Sequence, residues 1–240
     1  MKKLFFATLA LIALVAATSS CNQQSSEVFG YATVTFKPQA DASYFLKVDA
    51  ATAFKVTNSG WEKYPYKEGR EVRALIAYYS DLKDISPRPT GTEGYKNVYN
   101  AKLTAVDTIK IKAMVPHTGD DDKAYGNDVI GLFIDPNVTF PVTIAEDGYL
   151  TVAFGYVPVG EHEINVVYGA DPDDPYVVEL RHNANGYPVI GDVVKGLMCF
   201  PTDKLPDTGS SVGKIKLVWY SSVTLKKEVV EIPYQTRTDW

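Results

Sequence analysis

From residue 29 onward the chain alternates apolar and polar side chains almost without interruption, and nowhere does it sustain the 3.6-residue repeat of a helix. Successive side chains of a strand point to opposite faces, so this pattern commits the chain to an all-β fold in which sheets bury one face at a time. Segments 29–37, 43–49, 52–57, 70–79 and 97–113 are rich in Val, Ile, Thr, Tyr and Phe and are separated by polar or Gly/Pro breaks. Five strands of this length suit a small barrel over residues 28–115. At 116–127 the alternation stops. Gly119, the acidic run Asp120, Asp121 and Asp122, and Gly126 do not join a ladder easily, and carboxylate runs are usually solvated, so this stretch reads as an interdomain linker.

Seven further segments follow, at 129–134, 149–156, 162–168, 176–182, 193–200, 215–220 and 225–232, at the spacing of an antiparallel β-sandwich over residues 128–240. Glu146, Asp147 and Gly148 read as a hairpin tip, and 171–175, acidic and proline-rich, reads as a loop.

The beginning of the chain has a different character. Lys2 and Lys3 precede an apolar run at 4–17, and Thr18, Ser19 and Ser20 are small residues standing directly before Cys21. This is the pattern of a lipoprotein signal peptide over residues 1–20, with Cys21 as the lipidated residue and 21–27 as a polar tether. The apolar run is shorter than the roughly 20 residues needed to cross a bilayer. The expected address is the cell envelope, as an outer-membrane lipoprotein held to the membrane through the lipid at Cys21, with its periplasmic or surface face open. Loss of the two leader lysines leaves 22 basic against 29 acidic residues, which disfavours nucleic acid as a partner. Cys199 is the one other cysteine, so stability has to come from packed cores and not from an internal disulfide.

Few residues of this chain stand in patterns that carry chemistry. Gly209-Ser210-Ser211-Val212-Gly213 has the spacing of a nucleophile elbow, but a Pro206 loop precedes it and a strand follows, where the elbow needs a strand and then a helix. His117, His162 and His182 lie too far apart in sequence to define a triad or a metal site. The acidic run lacks the spaced ligands of an EF-hand loop. Cys199 sits among Gly196, Leu197, Met198 and Phe200, an apolar setting that makes a thiol inert. No catalytic residue, metal site or cofactor is therefore assigned, and the chain is expected not to be an enzyme.

Two places remain as candidate ligand-binding residues. Alternation puts Val178, Leu180 and His182 on one face of a strand and Glu179 and Arg181 on the other. His182 then reads as a core-edge histidine bonded to nearby backbone, with Arg181 and Glu179 a same-face pair. If this strand contributes to binding, Arg181, His182 and Asn183 lead into the contact surface, the loop 183–187. The second place is aromatic. Trp61, Tyr64 and Tyr66 fall in one loop and could stack on sugar rings, although Tyr and Trp also suit half-buried sheet faces for structural reasons alone.

The lipoprotein start, Tyr44-Phe45-Leu46-Lys47-Val48-Asp49, Glu68-Gly69-Arg70-Glu71-Val72-Arg73-Ala74, Gly148-Tyr149-Leu150-Thr151-Val152-Ala153-Phe154 and Glu179-Leu180-Arg181-His182-Asn183-Ala184 together resemble the NigD-like lipoproteins of Bacteroidetes. The resemblance spans nearly the whole chain after Cys21. It implies an N-terminal OB-like barrel followed by a C-terminal β-sandwich, and it brings no catalytic residues. The expected role is a non-enzymatic, lipid-anchored envelope protein that acts by binding or as an accessory of a surface assembly, with an outer-membrane protein or a glycan as partner. The alternatives are a carbohydrate-binding module using Trp61 to Tyr66 and, from the resemblance, a bacteriocin immunity protein.

Overall fold

A computed structural model describes residues 27–38, 44–61, 71–137, 141–209 and 211–237. It divides the chain into two units, Met1–Thr108 and Ile109–Trp240. In the first, β1 (Val28–Pro38), β2 (Tyr44–Lys47), β3 (Thr52–Val56), β4 (Val72–Ser80) and β5 (Asn97–Thr108) follow the order β1-β2-β3-β5-β4, and β4 returns to pair with β1. The barrel is closed. β3 and β5 run parallel, while the other pairs are antiparallel. Every second residue points inward: Ala32, Val34 and Phe36 of β1 meet Ala74, Ile76 and Tyr78 of β4, and Leu46, Phe54, Ala101 and Leu103 complete the core. The five-stranded barrel expected from the alternation, OB-like by the family resemblance, is present.

The second unit is a sandwich. One sheet has the order β6-β13-β10-β8, with β9 also on β10, and the other has the order β15-β14-β12-β11-β7. The strands are β6 (Lys110–Ile111), β7 (Val115–Pro116), β8 (Gly131–Leu132), β9 (Ile144–Glu146), β10 (Tyr149–Tyr156), β11 (Glu163–Tyr168), β12 (Val177–Asn183), β13 (Val194–Pro201), β14 (Gly213–Tyr220) and β15 (Lys227–Tyr234). Leu150, Val152 and Phe154 of β10 and Phe200 of β13 pack against Ile164, Val166, Val178, Leu180, Ile215 and Leu217 from the facing sheet. Each such side chain contributes roughly 1.5–3 kcal/mol on burial. Asp147 (φ 49°) and Gly148 (φ 74°) make the expected tip between β9 and β10, the two positive φ values matching a type I′ hairpin turn.

Two expectations are corrected here. The strand expected over 97–113 ends at Thr108, and the first domain does not reach 115, because Lys110–Ile111 pairs parallel with β13 and Val115–Pro116 pairs parallel with β11. The linker expected over 116–127 is also part of the second unit. It carries α1 (Asp121–Tyr125), and Asp120 caps this helix by accepting from the Lys123 backbone N–H at 3.3 Å. The acidic run is not simply solvated. Asp121 is buried and accepts from the Thr118 N–H and hydroxyl, both at 2.8 Å, and bonds the His117 ring at 2.7 Å. Burial alone would raise its pKa, but the His117 and Thr118 hydrogen bonds outweigh burial and hold the carboxyl below its ordinary range.

Candidate functional site

β12 carries the sequence-predicted pair on opposite faces, as alternation requires. Arg181 faces away from the core yet has only 7% of its side chain exposed, because the segment containing α1 packs over β11 and β12. One guanidinium nitrogen donates to Asp122 of α1 and another to Glu179, two residues earlier on the same strand. A planar fork held by two carboxylates suits a guanidinium better than an ammonium. Lys227 of β15 reaches the other oxygen of Glu179 at 3.4 Å. Arg181 and Glu179 thus form the expected pair, and Asp122 is a third member from the supposed linker.

His182 faces the core and is 1% exposed. Its Nδ1 lies 3.0 Å from the carbonyl oxygen of Val129 and its Nε2 lies 2.8 Å from Nδ1 of His162, whose Nε2 in turn lies 2.9 Å from the carbonyl oxygen of Val159. The structure therefore brings together two of the three histidines that sequence spacing left apart. Burial lowers the pKa of His182, and its bond to Val129 offsets this only in part. Asn183 is half-buried, and its side-chain oxygen accepts from the Asn185 N–H at 2.9 Å.

Beyond Asn183 the chain makes a tight turn. Tyr187 donates its N–H to the Ala184 carbonyl at 2.9 Å across Asn185 (φ 51°) and Gly186 (φ 80°). The Asn185 amide then donates to the Glu161 carbonyl at 3.0 Å, tying this turn to the β10–β11 loop. The Tyr187 ring lies on Gly160 (φ 80°), where an added Cβ would stand 2.2 Å from the ring, so both the backbone conformation and the contact require glycine. Val157 of the first loop packs beside Gly191 of the second. The result is one surface made by two loops, with Val159, Tyr187, Ile190, Val193 and Val194 all exposed and Ile190 77% so.

Residues 113–234 match the family model of the NigD-like C-terminal β-sandwich domain, which is more than half of the chain. The chain belongs to the NigD-like family. Solved structures share the fold over almost their whole length. A protein of Parabacteroides distasonis described as toxin-related is 22% identical, with a TM-score of 0.63 over 86% of this chain and 93% of that one. A Bacteroides fragilis structure described as a lipoprotein is 13% identical, with a TM-score of 0.55 over 87% and 99%. A NigD-like immunity protein of Bacteroides caccae is 16% identical, with a TM-score of 0.51 over 84% and 90%. Comparison with curated proteins returns no match.

Trp61 is half-buried and packs against the barrel core, so part of its ring serves packing. Tyr64, Tyr66 and Cys21 lie outside the described residues. Cys199 is fully buried with its sulfur 3.2 Å from the Thr151 hydroxyl. Gly213 opens β14, so a strand and not a helix follows the Gly-x-Ser-x-Gly stretch. Among the described residues no helix is long and apolar enough to cross a membrane.

His162 is the residue that sequence reasoning missed, although a signal for it existed. The loop at 171–175 was legible, and folding the chain back about Asp173 pairs Glu163 with Asn183 and Ile164 with His182. That register places His162 beside His182 at the end of the hairpin.

Proposed function

We propose that this NigD-like protein is a non-enzymatic, lipid-anchored outer-membrane protein that works by binding, as an accessory of a surface assembly, and that the two-loop end of its sandwich is the contact. One observation supports the choice of surface. Val159, Tyr187, Ile190 and Val193 are exposed on loops that hydrogen bonds and a ring-on-glycine contact hold in place, and Val194 is exposed at the start of β13. Single exposed apolar residues are ordinary, but a group of them on fixed loops characterises interaction surfaces. The loop 183–187 singled out from the sequence contributes Tyr187 to it.

The test is covalent crosslinking of the anchored protein in its own membranes, followed by mass spectrometry of captured proteins and glycans. The Cys21→Ala chain should leave the membrane fraction. A Tyr187→Ser, Ile190→Asp double variant should lose the crosslinks to a specific outer-membrane protein. Capture that is unchanged by the double variant removes the assigned contact, and glycan captured alone replaces the protein partner with a saccharide.

A second reading, bacteriocin immunity, is supported by the fold shared with the Bacteroides caccae immunity protein. It requires that loss of the gene sensitise cells to a toxin encoded beside it; unchanged sensitivity excludes it.

A further inference from the structure

We propose that His162 and His182 hold one shared proton between them, and that this proton fastens the loop beneath Tyr187 to the sandwich.

A carbonyl oxygen only accepts, so the His182 Nδ1 facing Val129 and the His162 Nε2 facing Val159 both carry hydrogens. A neutral imidazole has one N–H, and here each ring has already placed it on a carbonyl. The remaining two nitrogens would then face each other with lone pairs only. They are nevertheless 2.8 Å apart, with ring centroids at 5.1 Å and planes only 14° from parallel. This is hydrogen-bond distance and requires a third hydrogen between the nitrogens. The pair therefore carries three ring hydrogens and one positive charge.

Burial decides which ring is the cation. His182 is enclosed and resists protonation, whereas His162 is half-exposed. The imidazolium is therefore His162, which donates Nδ1–H to His182 and Nε2–H to Val159. Asp128, whose carboxylate accepts the Ala184 N–H at 2.7 Å, favours positive charge at His182, but burial there is the larger effect and keeps that ring neutral. The Tyr156 ring of β10 meets His162 edge-on at 5.1 Å, and Glu161 and Glu163 flank His162 in sequence, with Glu163 bonded to Lys112. Arg181 is directed to the opposite face of β12, where its carboxylates hold it.

Fastening then has two limits. A second proton sets two N–H groups against each other and breaks the bond between the rings. Loss of the shared proton sets lone pair against lone pair, and the bond between the rings survives only if a ring turns its hydrogen away from a carbonyl. Val129 is buried, so the half-exposed His162 releases Val159. Either change frees the 157–162 loop, on which the Tyr187 ring rests at Gly160. The importance of this for binding rests on the contact surface proposed above, whereas the proton count stands without it.

The test uses the purified full chain with ¹⁵N-labelled histidine. Ring-nitrogen spectra near pH 6.5, the ordinary histidine range, should show His162 as imidazolium, His182 as the neutral Nδ1–H form, and a far-downfield proton coupled to both rings. The protection factor of the Tyr187 amide should peak in the same range and fall on either side. In His162→Gln it should drop about tenfold at that pH, the loss of one hydrogen bond, and lose its pH profile. Two neutral rings titrating independently, or a profile unchanged in His162→Gln, overturn the proposal while leaving the loop contact intact. Crosslinks unaffected by the Tyr187→Ser, Ile190→Asp variant overturn the contact while leaving the proton pair intact.

Discussion

Arg181 and His182 are adjacent in sequence, lie on opposite faces of β12 and are both buried, yet the two faces neutralise a basic side chain by different means. On the outer face a permanent cation is met by two carboxylates, Glu179 from its own strand and Asp122 from α1. On the inner face a titratable ring is kept neutral by burial and bonded through a second histidine. The outer arrangement holds wherever carboxylates are ionised, and the inner one is confined to a pH window. The same strand therefore fixes one element, α1, unconditionally and another, the 157–162 loop, conditionally.

The comparison is broken most severely by Arg181→Ala. Removing the cation leaves Glu179 largely buried beside Lys227, and the expected loss is about 3 kcal/mol, within the range for breaking a buried pair. Urea unfolding should show this loss nearly constant from pH 5 to 8; a loss below about 1 kcal/mol means that solvent reaches the face.

His182→Ala should cost about 2 kcal/mol at pH 7.5, from the stranded Val129 carbonyl and the lost ring. Its pH dependence has a definite sign. The folded His182 has a lowered pKa, so in acid the unfolded chain takes up a proton that the folded one resists, and the wild type loses stability as pH falls below about 6.5. The alanine variant is spared that loss, so its deficit should shrink at pH 5. A deficit that grows in acid means that the ring is charged in the fold. Asp122→Asn should have the smallest effect, below about 1 kcal/mol, since that carboxylate is 63% exposed. Its greater use is local: hydrogen exchange in α1 should rise while that of β12 stays unchanged.

Long strands were legible because alternation over eight or more residues outweighs local exceptions, as in β1, β4 and β10. β6, β7 and β8 are two residues each, too short to show any period, and partners distant in the chain define them. α1, with five residues, is likewise too short for a helical repeat, though Asp120 followed by two more aspartates is an N-terminal helix signal. At the site, β12 could be read face by face, and His182 was correctly placed at the core edge with a backbone partner. Its histidine partner could not be found by spacing along the chain, only by pairing across the hairpin. For Trp61, composition gave an aromatic loop residue but could not say that the ring leans on the barrel core.

The pairing of β6 and β7 has a consequence for how the molecule is made. All five barrel strands find their partners within residues 28–108, so a chain that emerges from its amino end delivers everything the barrel needs before the sandwich begins. The sandwich starts with strands that cannot yet pair. Val115 waits roughly fifty residues for Val167, and Lys110 roughly ninety for Met198. As the chain emerges, the barrel can close while the next segment trails it unpaired, and Ile109–Pro116 settles only after most of the second domain has followed. The order in which the strands are written is not the order in which they can be used.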